Sequence, residues 1–222
     1  MKKDYTHIAM VVDRSGSMSS CWEDVLGGYK QLVIDNKKAP GKCTFTVAAF
    51  DTEYDTLEDF TDIQSVDELL KVHPRGGTAL LDAIGKTITL VGEKLAMMKE
   101  EDRPEKVMFV IQTDGYENAS QEFKKDAIKK MITDQTEIYK WEFMFIGASL
   151  DAVRDAQSWG IRDCQTSVYN TSNSAKTFSL VGEKLTRGRG ASTPEAYMAA
   201  CSFTDDEKKT MAESKSTATV TK

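Results

Sequence analysis

Ile8-Ala9-Met10-Val11-Val12 runs directly into Asp13-Arg14-Ser15-Gly16-Ser17-Met18, and the reading of the chain hangs on this stretch. The apolar run, begun at Thr6 and rich in branched side chains, predicts a buried strand over Thr6–Val12. Gly16 predicts a tight turn where that strand ends. On the turn stand a carboxylate and two hydroxyls at alternate positions. The aspartate supplies charge, and the serines supply neutral oxygens whose lone pairs can face one point. Oxygen donors of this kind suit the hard cations Mg²⁺, Mn²⁺ and Ca²⁺ far better than zinc or copper. Two later segments add the same chemistry. Gly76-Gly77-Thr78-Ala79-Leu80 offers a hydroxyl after a glycine pair, and Thr113-Asp114-Gly115 offers a second carboxylate.

Around these segments, apolar runs alternate with amphipathic stretches. A helix is predicted from Ser19 or Ser20 to about Asn36, with Trp22, Val25, Leu26, Tyr29, Leu32 and Val33 at helical spacing. Lys37–Gly41 reads as a turn, then Cys43–Phe50 and Tyr54–Phe60 as antiparallel strands. A short helix is expected over Val66–Leu70 and a long one over Leu80–Lys99. Val107–Gln112, the most apolar run, predicts a central parallel strand. There follow a helix over Phe123–Gln135, a strand over Glu142–Ile146, a helix over Leu150–Gln157, a weak strand near Thr166–Tyr169 and a closing helix over Ser174–Leu185. The pattern predicts an α/β fold. Its central sheet is doubly wound and mostly parallel, with one antiparallel edge hairpin and helices on both faces. Thr193–Cys201 predicts a short helix with Pro194 at its first position. The last dozen residues offer little to bury and are expected to stay disordered. Leu-Val-Gly-Glu-Lys-Leu occurs at 90–95 and again at 180–185. With little flanking similarity, it reads as equivalent helix packing or chance rather than a repeat architecture.

In a doubly wound sheet, ligands gather at the carboxyl ends of the strands. Asp13, Ser15 and Ser17 follow the first strand, Asp114 follows the 107–112 strand, and Thr78 opens a helix. Taken singly, each has an ordinary reading: a capped turn, a helix N-cap, a turn aspartate. Taken together, the D-x-S-x-S motif, Thr78 and the T-D-G aspartate resemble the metal-ion-dependent adhesion site of the von Willebrand factor A (vWA) family. The resemblance covers about residues 4–190, implying a vWA domain over 1–190 and a C-terminal extension over 191–222. It implies a metal set of Asp13, Ser15, Ser17, Thr78 and Asp114. The hydroxyls would coordinate directly, and the aspartates directly or through water. It implies bound Mg²⁺, with Mn²⁺ or Ca²⁺ as alternatives, and an open coordination position filled by an Asp or Glu of a protein partner. Stand-alone intracellular relatives in prokaryotes and phages act with ATPases or in assembly systems, so an ATPase or assembly complex is the implied partner.

The bulk properties agree with a binding module in the cytoplasm. The 222 residues suffice for one domain with a modest extension, and the net charge of −6 argues against nucleic acid. No run approaches the ~20 apolar residues that span a bilayer, so neither a membrane partner nor a signal segment is expected. Cys21, Cys43, Cys164 and Cys201 lack C-x-x-C spacing and read as free thiols of a reducing compartment. No catalytic residues are expected. The alternative is a Mg²⁺-dependent phosphoryl-transfer enzyme of haloacid-dehalogenase type, but that chemistry needs a second aspartate where Ser15 stands. A Walker-type phosphate loop is absent, and His7 and His73 lie away from the motif. Trp22, Tyr116, Glu117 and Asn118 are expected near the site, either shaping partner choice or simply packing. Thr186–Gly190 reads as a helix terminus rather than a basic patch.

Overall fold

A computed structural model describes residues 1–214. β1 (Lys2–Asp13) is buried from Tyr5 onward, as befits a strand flanked by parallel neighbours and covered on both faces. Those neighbours are β2 (Lys42–Phe50) and β4 (Pro104–Thr113). The six-stranded sheet has the order β3-β2-β1-β4-β5-β6. β5 (Glu142–Gly147) and β6 (Thr166–Val168) continue the parallel run, and β3 (Tyr54–Asp62) pairs antiparallel with β2 at the edge. This is the doubly wound, mostly parallel α/β sheet with one edge hairpin that the residue pattern predicts.

Strand alternation divides the core. Ile8, Met10 and Val12 of β1 face α1 (Trp22–Lys38) and α5 (Ser174–Gly190), whereas Ala9 and Val11 face α2 (Leu80–Met97), α3 (Lys125–Glu137) and α4 (Leu150–Ser158). α1 and α5 lie in close contact through two glycines. A Cβ on Gly28 would fall 2.5 Å from Phe178 Cβ, and one on Gly182 would fall 3.3 Å from Leu32 Cα.

Arg189, at the end of α5, is buried and serves the far end of α1. Its guanidinium donates to the carbonyls of Asn36, Ala39 (3.1 Å), Pro40 (3.1 Å) and Gly41 (3.0 Å). Asn36 lies in the last turn of α1, whose carbonyls lose their helical partners, and the other three belong to the C-cap and the turn that follows. The Thr186–Gly190 segment therefore ends a helix, as expected, and one of its arginines also caps another helix.

Two segments depart from the sequence expectations. Val66–Leu70 is not helical; a 3₁₀ turn at Ile63–Ser65 precedes it, and Val66 and Leu70 plug the α1 side of the core. Asp67 explains this. Its carboxylate accepts Leu69 N–H (3.0 Å) while its own N–H donates to Glu58 Oε1 (3.0 Å), so local bonds displace helical ones in a segment too short to nucleate. At the C-terminus, α6 (Pro194–Ala200) is followed by α7 (Asp205–Ala212), an unexpected helix opened by a Thr204–Glu207 capping box. Lys184, buried on α5, pairs with Glu207 at 2.7 Å, and Met211 is fully buried. The disorder expected of the last dozen residues does not apply to Met211 and Ala212, and residues 215–222 lie outside those described. All four cysteines are free thiols. Among the described residues no helix is long and apolar enough to cross a membrane.

Candidate metal site

The chains leaving β1 and β4 are tied together at their carboxyl ends. Asp13 is fully buried; one carboxylate oxygen accepts Ser15 N–H (2.7 Å) and the other accepts Thr113 Oγ1–H (2.5 Å). Ser15 Oγ lies 3.1 Å from Ser17 Oγ, and Ser17 Oγ donates to Asp114 Oδ1 at 2.6 Å. Thr78 is buried beside them, its N–H donating to Asn118 Oδ1 (2.9 Å) and its carbonyl accepting the N–H groups of Asn118 (3.0 Å) and Ala119 (3.2 Å). Gly115 shows where the oxygens converge. A Cβ built there would stand 2.9 Å from Thr78 Oγ1 and 3.6 Å from Ser17 Oγ. The structure thus brings Asp13, Ser15, Ser17, Thr78 and Asp114 to one place from three separate segments.

A second set of residues holds those segments in register. Asp51, fully buried just past β2, accepts Arg14 Nε (3.0 Å) and Arg75 Nε (2.8 Å), and its other oxygen accepts Glu53 N–H (2.6 Å). Burial works to raise the Asp51 carboxyl, but the Glu53 N–H and the two guanidiniums outweigh it and hold the group below its ordinary value. Gly76 carries φ +67, a conformation that favours glycine, and its carbonyl accepts Gly16 N–H at 3.1 Å. On the opposite side, Glu117 caps α2 by accepting Leu81 N–H (2.9 Å). Asp82 of α2 returns the favour, accepting the N–H groups of Gln121 (2.8 Å), Glu122 (3.0 Å) and Phe123 (2.8 Å).

Burial disfavours the charged form of both carboxylates at the centre. Burial pushes the Asp13 carboxyl up to about 6 against the hydrogen bonds from Thr113 and Ser15, with Asp114 adding to the rise. Burial likewise raises Asp114 against its bond from Ser17. The one basic residue inside the motif, Arg14, is turned away to Asp51 and Asp55. Among the described residues no ion pair reaches Asp13 or Asp114. No group of three or more His, Cys, Asp or Glu residues there could hold a metal either. Any metal at this centre would rest on hydroxyls joined to two carboxylates, and that donor set fits a hard divalent ion. Asp114→Asn is expected to leave the melting temperature of the metal-free protein equal or higher while weakening metal binding. A large drop in melting temperature in chelator would assign Asp114 a structural task instead.

Of the other candidates, Trp22 packs into the core on the α1 side, whereas Tyr116 is 55% exposed on the loop after Asp114. Glu117 and Asn118 are pinned as hydrogen-bond acceptors for α2 and Thr78. Sequence reasoning missed Thr113, Asp51, Arg14 and Arg75. Thr113 was signalled only by its place beside Asp114. Asp51 was signalled only by ending the strand that pairs with β1, where Asp13 lies opposite Phe50.

The sequence matches no protein-family model and no curated protein. Its fold does match solved structures. Over 85% of this chain and 97% of the other, it superposes on the vWF domain of the type V pili tip protein Mfa5 from Porphyromonas gingivalis (TM-score 0.60, 12% identity). A von Willebrand factor type A structure from Catenulispora acidiphila gives a TM-score of 0.55 at 13% identity, covering 83% of this chain and 43% of that one. Proximal thread matrix protein 1 from the mussel byssus, with a zinc-occupied MIDAS motif, gives 0.59 at 16% identity, covering 84% and 47%. The chain thus spans about half of the byssus and Catenulispora proteins and nearly all of the pilus domain. The fold is that of vWA domains. At these identities the likeness is one of fold.

Proposed function

We propose that this protein is a non-enzymatic, cation-dependent protein-binding module, cytoplasmic, and that it captures an acidic side chain of a partner. The observation that carries the reading is the convergence of three hydroxyls and two carboxylates, the buried Asp13 and the part-exposed Asp114, without a basic counter-charge, on the space bounded by Gly115. In this reading Ser15, Ser17 and Thr78 turn hydroxyl lone pairs to the ion, and Asp13 and Asp114 supply its charge balance. Bound Mg²⁺, with Mn²⁺ or Ca²⁺ as alternatives, supplies an open position for a carboxylate. Partial desolvation by the surrounding loops strengthens that contact. Four free thiols support a reducing compartment, and within it an ATPase or assembly complex is the proposed partner class. Ser15, in place of a second aspartate, supports binding over phosphoryl transfer.

Affinity capture from native lysate in Mg²⁺, Mn²⁺ or EDTA, beside a Thr78→Ala control, tests the reading. A protein retained only with cation and intact Thr78 is the expected result. Retention indifferent to both would remove the site from the interface.

A further inference from the structure

Asp51 is not among the five candidate ligands, yet the loop of Ser15 and Ser17 and the loop of Thr78 both hang from it. Arg14 stands immediately before Ser15, and Arg75 stands three residues before Thr78. Both guanidiniums meet on one oxygen, Asp51 Oδ2, which accepts Arg14 Nε at 3.0 Å and Arg75 Nε at 2.8 Å. The Asp51 carbonyl accepts the N–H of Ala79, next to Thr78, at 2.9 Å. Backbone bonds then lace one loop to the other. Arg75 N–H donates to the Arg14 carbonyl (2.8 Å), and Gly16 N–H donates to the Gly76 carbonyl (3.1 Å). The carboxylate at the joint is fully buried, so its charge-assisted bonds are short and little screened.

The spacing held by this joint matters to the ion. Ser15 Oγ and Ser17 Oγ are 3.1 Å apart. Neighbouring oxygens on an octahedron of radius about 2.1 Å, the shell of Mg²⁺, stand about 3.0 Å apart. The Ca²⁺ shell, at about 2.3–2.6 Å, asks a right-angled pair to spread to about 3.3–3.7 Å. Mg²⁺ also demands near-ideal geometry, whereas Ca²⁺ accepts an irregular one. Slack between the serine loop and Thr78 therefore costs Mg²⁺ far more than Ca²⁺.

We propose that Asp51, through Arg14 and Arg75, fixes the separation of the Ser15–Ser17 loop from Thr78 and so selects Mg²⁺ over Ca²⁺ while touching neither ion. The three are positioning residues, and the inference rests on the proposed reading of the centre as a cation site.

Arg75→Met separates positioning from charge. The Arg75 side chain is 54% exposed, and Asp51 keeps Arg14 and the Glu53 N–H in its absence, so the variant should fold. Losing a positive charge should, by Coulomb attraction alone, tighten both ions. Losing the joint should do the opposite for one of them. Mg²⁺ and Ca²⁺ are titrated separately by calorimetry into chelator-stripped full chain, with melting temperatures recorded in EDTA. In Arg75→Met, Mg²⁺ affinity should fall at least tenfold and Ca²⁺ affinity less than threefold. Arg75→Lys should recover part of the Mg²⁺ loss, since an ammonium reaches Asp51 without the planar fork. Val181→Ala, which opens a cavity on the α5 face, should melt lower and leave the ratio of the two affinities unchanged. Tighter binding of both ions, equal losses of both, or a Val181→Ala shift as large as that of Arg75→Met overturns the proposal. A wild type that binds neither ion removes the cation site and this inference together. A wild type that binds Mg²⁺, with the ratio unmoved in Arg75→Met, removes the inference alone.

Discussion

Arg189→Met is expected to lower stability by about 2–4 kcal/mol, because the buried guanidinium is the donor to the carbonyls of Asn36, Ala39, Pro40 and Gly41. Methionine fills much of the volume but returns no hydrogen bond, and the carbonyl of buried Asn36 is then left unpaired while those of exposed Pro40 and Gly41 turn to water. Arg189→Lys should recover only part of the loss, since one ammonium cannot spread over carbonyls that a planar fork spans. For a domain of this size the methionine variant should melt about 10 °C lower. Denaturant unfolding of the three proteins measures the effect, and a loss below about 1 kcal/mol would mean that water or the backbone replaces the arginine. The two helices involved meet through Gly28 and Gly182, so the damage should spread to the whole α1–α5 face.

The second large effect is a pH dependence set by His7. The ring is fully buried in β1, stacked on Phe60 at 3.8 Å, with Nδ1 2.9 Å from Thr44 Oγ1. Burial first, and the Lys94 ammonium second, push its pKa down to about 3 from 6.5. Between those values the unfolded chain binds a proton that the folded chain refuses, so stability falls as pH drops below about 6.5. From pH 7.5 to pH 4 this single group should remove roughly 3 kcal/mol. His7→Phe keeps the stack on Phe60 and leaves Thr44 its bond to the Tyr5 hydroxyl (2.9 Å). The variant should therefore lose about 3 kcal/mol less than the parent over that range. Equal pH slopes in the two proteins would show that His7 is protonated inside the fold.

The features legible in the sequence were those written in local pattern. The run into Asp13 announced a buried strand, the 107–112 run a second, and the spacing of 17, 78 and 114 matched the carboxyl ends of a doubly wound sheet. What stayed hidden depends on partners distant along the chain. Nothing near Arg189 says that its guanidinium serves carbonyls about 150 positions earlier. Nothing near Asp51 says that it clamps Arg14 and Arg75 into the loops that carry Ser15 and Thr78. The Val66–Leu70 expectation failed because helical spacing of apolar residues also describes a loop that plugs a core, and Asp67 decided between them. α7 was missed for the opposite reason. Its composition is polar, and its burial rests on Met211 and on the pairing of Glu207 with a buried lysine.

Asp13, Ser15, Ser17, Thr78 and Asp114 are proposed to hold one divalent cation. Calorimetric titration of Mg²⁺ and Mn²⁺ into chelator-stripped protein, wild type and Thr78→Ala side by side, tests it most directly. One site per chain is expected in the wild type and a loss of at least tenfold in affinity in Thr78→Ala, with its melting temperature in EDTA unchanged. Absence of a saturable site in the wild type, or equal affinity in the two proteins, would contradict it.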